Sequence, residues 1–63
     1  MLPGTRVSAT VAIEDTGIYS GDTGTILQVV TDPPISDRYT MYIVQFDDAE
    51  EPITVYPSQI ERA

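Results

Sequence analysis

The stretch 39–57, YTMYIVQFDDAEEPITVYP, constrains the fold more than any other part of the chain. Tyr42, Val44 and Phe46 alternate, so their side chains leave an extended backbone on one face. Residues 47–52 break the alternation: most are acidic, and Pro52 has no N–H to give to a ladder. Ile53, Val55 and Tyr56 then resume as a short β-branched and aromatic strand. Two strands joined by an acidic turn are the expected result.

Upstream, residues 5–11 alternate as well, with Val7, Ala9 and Val11 on one side and Arg6, Ser8 and Thr10 on the other. That pattern predicts a half-buried first strand. Residues 12–22 carry Glu14, Asp15, Gly17, Ser20 and Gly21, the chemistry of a loop, with Ile18 and Tyr19 expected to pin it to the core. Gly21, Asp22, Thr23 and Gly24 read as a tight turn whose glycines take φ > 0. In the second strand, 25–31, Ile26, Leu27, Val29 and Val30 do not alternate cleanly. Such a run predicts burial on both faces, or a bulge that switches face midway. Residues 32–38 hold Pro33 and Pro34 and read as a connecting loop. After Pro57, residues 58–60 are expected to form one helical turn, with Ile60 closing the core and 61–63 a short strand or tail.

No helix of normal length, internal repeat or low-complexity tract is visible. Four or five short strands with one long first loop predict an all-β fold, and the chain is read as a single domain over residues 1–63. At this length an SH3-like, partly open barrel removes most exposed strand edges. The expected core is Val7, Ala9, Val11, Ile26, Val29, Tyr42, Val44, Phe46, Val55 and Ile60. A core this small leaves roughly 3–5 kcal/mol of net stability. The chain has no cysteine for a disulfide, and without Cys or His a structural zinc site is excluded.

Ten acids against three arginines and no lysine give a net charge of −7. Nucleic-acid binding needs a basic footprint, and Arg6, Arg38 and Arg62 are scattered. The acidity is read mainly as solvation, with steering towards basic partners as the functional alternative. The N-terminal MLPGTRV has neither a basic n-region nor an apolar h-region, and no apolar run reaches membrane-spanning length. A cytoplasmic protein without a membrane span is expected.

Nucleophilic catalysis needs a nucleophile with a base beside it, and the chain has no His, Cys or Lys. Ser8, Ser20, Ser36 and Ser58 read as strand-surface or turn residues. Asp47, Asp48, Glu50 and Glu51 lie in a solvent-facing turn, where burial cannot tune a carboxyl for acid–base work. Four acids this close can ligate Ca²⁺ through oxygen, but their spacing matches no EF-hand loop, and a solvated turn is the simpler reading. No enzymatic activity, cofactor or metal is expected.

The segment GDTGTI followed by Val29 resembles the glycine turn and second strand of KOW-type modules, which bind ribosomal RNA or transcription complexes. RNA-binding KOW domains are usually basic, so this resemblance gives only an alternative reading. The wider pattern GTRV, a polar loop, GDTGTI, YIVQF and a late hydrophobic residue covers nearly the whole chain. It resembles the SH3-like accessory proteins: photosystem I reaction-centre subunit IV, the variable chain of ferredoxin–thioredoxin reductase and the C-terminal barrel of nitrile hydratase β-subunits. That resemblance implies docking on a larger protein rather than catalysis. Residues 42–62 are similar to the C-terminal half of the plasmid-encoded type II dihydrofolate reductases, tetramers of SH3-like chains around one pore. Their Val-Gln-Ile-Tyr-Pro segment corresponds to residues 53–57 here, with Thr54 in place of the glutamine, and their pore lysine falls on Ala9. The likeness implies a self-assembling barrel without reductase activity.

With Tyr42, Val44 and Phe46 inward, Met41, Ile43 and Gln45 point outward, joined by Leu27 and Thr54. This face and the 12–22 loop are the expected contact with a protein partner or a second copy, with Tyr19 and Tyr56 as anchors. Ordinary barrel packing is the alternative reading for the two tyrosines, and burial under the long loops that for the face.

Overall fold

The computed structural model describes residues 1–31 and 40–63. Among them five antiparallel strands form one sheet: β1 (Arg6–Ala9), β2 (Thr23–Val30), β3 (Met41–Phe46), β4 (Ile53–Val55) and β5 (Ile60–Arg62). A 3-10 turn (Pro57–Gln59) connects β4 to β5. The spatial order is β4-β3-β2-β1-β5, and no pairing joins β4 to β5 among the described residues, so the sheet is not closed, which fits a partly open barrel. The expected all-β, SH3-like architecture is present. No α-helix occurs among the described residues, and none is long and apolar enough to cross a membrane. The expected loop over 32–38 and Tyr39 lie outside the described residues.

β3 follows its sequence pattern without a break: Tyr42, Val44 and Phe46 are buried, and Met41, Ile43 and Gln45 are half-buried on the other face. β2 resolves its ambiguity with a bulge. Ile26 pairs with Val44, but Gln28 pairs with Ile43, so Leu27 is the extra residue. Leu27 and Gln28 are both exposed, and beyond them Val29 returns to the core side opposite Tyr42.

Two sequence expectations fail here. The tight turn does not include Gly24. It closes two residues earlier, where the Asp22 N–H donates to the Tyr19 carbonyl (3.0 Å), the Asp22 carboxylate accepts from the Tyr19 N–H (3.0 Å), and Gly21 takes φ +94°. Gly24 is a buried strand residue, and a Cβ there would lie 2.7 Å from the Gln45 carbonyl and 2.8 Å from the Phe46 Cα. Close packing of β2 on β3, rather than a positive φ, requires glycine at this position.

Val11 is the second. It is 47% exposed instead of buried. Alternation continues to Val11 in the sequence, but pairing stops earlier: β1 last meets β2 at Ser8 and β5 at Ala9. Ile18 joins the core instead, 4% exposed, held by a bridge to Ile13 in which its carbonyl accepts from the Ile13 N–H (3.0 Å). Thr16 fastens the same turn, donating to the Ile13 carbonyl (2.7 Å) and accepting from the Ile18 N–H (3.2 Å). Val7, Ala9, Ile26, Tyr42, Val44, Phe46, Val55 and Ile60 are buried as expected; Val29 is half-buried against them.

Candidate functional site

The most tightly organised polar group bridges the start of β1 to the end of β3. Arg6 donates to both carboxylate oxygens of Asp47 (2.9 and 2.6 Å) and to the Thr25 hydroxyl (2.8 Å). Thr23 donates to the same carboxylate (2.8 Å), and the Asp47 N–H reaches the Thr23 carbonyl (2.9 Å). The hydrogen bond from Arg6, then that from Thr23, pushes the Asp47 carboxyl down to about 2. The same bond raises Arg6. Asp47 was expected to be an untuned acid of a solvated turn. It is tuned, though by hydrogen bonding rather than burial. Both carboxylate oxygens of Asp47 are engaged within the fold, so this group straps three strands together.

At the opposite end of β1 the chain keeps apolar groups in water. Thr10 is the tether. Its N–H donates to the Gln59 carbonyl (2.9 Å), its hydroxyl to the Ser58 carbonyl (2.9 Å), and its carbonyl accepts from the Ser20 hydroxyl (3.3 Å). The 12–22 loop and the 3-10 turn therefore converge on one residue. Gln59 also closes its own turn: its side-chain oxygen accepts from the Tyr56 N–H (2.8 Å), and its N–H donates to the Tyr56 carbonyl (2.9 Å). Beside these tethers stand three exposed side chains, Tyr19 at 70%, Tyr56 at 57% and Val11 at 47%.

The expected contact residues thus fall into two groups. Ile43 lies directly between Gln28 and Thr54, on the outward face of the sheet. Met41 sits two pairs further along, opposite Val30, and Leu27 stands on the bulge, 49% exposed. Met41 and Ile43 are half-buried, so this face offers less free apolar surface than alternation suggested. Tyr19 and Tyr56 stand instead on the two segments tied to Thr10. Packing inside the barrel is overturned for both by their exposure, and only Ile18 of its pair pins the loop. Val11, next to Thr10, is exposed as well and was missed, because its alternation signalled core. No protein-family model, curated protein or solved structure matches this chain. A functional reading therefore rests on these surfaces alone.

Proposed function

We propose that this chain is a non-enzymatic interaction module, related to the SH3-like accessory proteins, that docks on another protein through Tyr19, Tyr56 and Val11. The observation that carries the reading is the exposure of both tyrosines on segments fixed to Thr10. Tyrosine presents a large, rigid apolar ring with a polar tip at low entropic cost, which suits it to anchor an interface. Rings on segments already held in place lose little further freedom on docking. A second reading, self-association through the outward sheet face, draws support from Leu27 on the β2 bulge.

Capture from the native cell with three forms of the chain as bait separates these readings. A docking partner is retained by the parent and by Leu27→Ser, and lost by the Tyr19→Ser/Tyr56→Ser double variant. Retention of the same proteins by all three baits removes the tyrosine surface from consideration. Sedimentation addresses the second reading: a dimer that Leu27→Ser converts to a monomer supports it, and a parent that stays monomeric at high concentration overturns it.

A further inference from the structure

An open cleft of about 480 Å³ lies between the 12–22 loop and the 47–52 turn. Buried Ile18 and half-buried Ile53, both packed on the core, line its apolar part. Exposed Asp15, Asp48, Glu50 and Glu51 line it as well. Asp22 borders it too, with one carboxylate oxygen engaged by the Tyr19 N–H. No cationic side chain among the described residues contributes to the lining. The one ion pair among the described residues is Arg6–Asp47, so the acid of the turn that has an internal partner stands outside the cleft.

Both walls are fastened before any ligand arrives. The Ile13–Ile18 bridge and the Thr16 bonds hold one. On the other, the Gln45 side chain donates to the carbonyls of Phe46 (3.0 Å) and Ala49 (2.8 Å). The like charges on the two walls repel each other, and a cation between them relieves that repulsion. The nature of the cation follows from the spread of the carboxylates. Among the described residues no three acids come close enough to hold a metal ion. An apolar base with separated anions matches instead an organic cation that carries its charge on an apolar stem.

We infer that this cleft receives an arginine or lysine side chain of a partner polypeptide, with the alkyl stem over Ile18 and Ile53 and the charged head among Asp48, Glu50, Glu51 and Asp15. The inference rests on the docking role proposed above, but not on the tyrosine surface. The probe is the peptide acetyl-Leu-Arg-Leu-Arg-Leu-amide, with its citrulline counterpart, equal in shape and uncharged, as control. Amide chemical shifts of the isotope-labelled full chain report where each binds. The arginine peptide is expected to move residues 15–18 and 48–53, and the citrulline peptide is not. Neutralising Asp48, Glu50 and Glu51 together (Asp48→Asn, Glu50→Gln, Glu51→Gln) is expected to weaken binding about tenfold, as for three exposed ion pairs. The Tyr19→Ser/Tyr56→Ser chain is expected to keep these shifts, so failure of the tyrosine surface and failure of the cleft are separately visible. The inference is overturned by an absence of shifts, by shifts spread over the whole acidic surface, by equal binding of the citrulline peptide, by the same pattern with Mg²⁺ alone, or by loss of the shifts in the tyrosine variant.

Discussion

At the start of β1, Arg6 engages Asp47 and Thr25 within the fold. Just past the end of the same strand, Thr10 ties two neighbouring segments together, while Val11, Tyr19 and Tyr56 stay in water. The first arrangement holds strands in register. The second fixes backbone segments and leaves their large side chains exposed, with no hydrogen-bond partner for either tyrosine ring among the described residues. Exposure alone does not separate these roles, since Arg6 and Asp47 are also about half exposed. What separates them is whether the exposed groups already have partners.

The largest expected effect belongs to the core next to the strap. Phe46 is fully buried one residue before Asp47, and Phe46→Ala should cost about 3–5 kcal/mol. That matches the whole net stability expected of so small a core, roughly 3–5 kcal/mol, so the variant should be unfolded at room temperature. A cooperative circular-dichroism melt near the parent's would show that this end does not carry the fold. Gly24→Ala comes next. The added methyl meets backbone atoms at 2.7 and 2.8 Å, which cannot swing away, and should lower stability by about 1–3 kcal/mol in denaturant titration. An unchanged midpoint would mean that β2 and β3 separate easily there.

A smaller effect is expected from the strap itself, and its pH dependence identifies it. Asp47 is held at about 2 when folded, against an ordinary 3.8, so its contribution is present above the ordinary value. It is lost as pH falls from near 4 towards 2. The melting temperature of the parent should therefore drop more steeply across that window than that of Asp47→Asn. Parallel curves would reduce the strap to a surface pair of no consequence. The smallest change in stability is expected at the other end. Tyr19→Ser/Tyr56→Ser should stay within about 0.5 kcal/mol of the parent, because neither ring is buried. A large loss of stability there would mean that the tyrosines support the barrel, and the contrast between the two ends would vanish.

The parts of this architecture that depend on local alternation were legible in the sequence. β3 is the clearest case, because its period of two runs the length of the strand. β2 was half legible: its apolar run allowed a bulge, but only pairing with β3 locates it at Leu27. Val11 misled because side-chain alternation carries no mark of where a neighbouring strand ends. Gly24 looked like a turn residue, since the backbone that crowds it comes from a distant strand. The partnership of Arg6 with Asp47 spans 41 positions and exists only once the sheet order is set. The tyrosine surface was legible in its residues but not in their grouping. Thr10, which gathers the segments that bear them, looked like an ordinary polar strand position.

The two margins of the sheet are β4 and β5, each three residues long. An incoming extended chain would find only a rung or two to grip on either side. Strand-by-strand growth into fibres therefore has little purchase on this molecule, although the sheet never closes on itself.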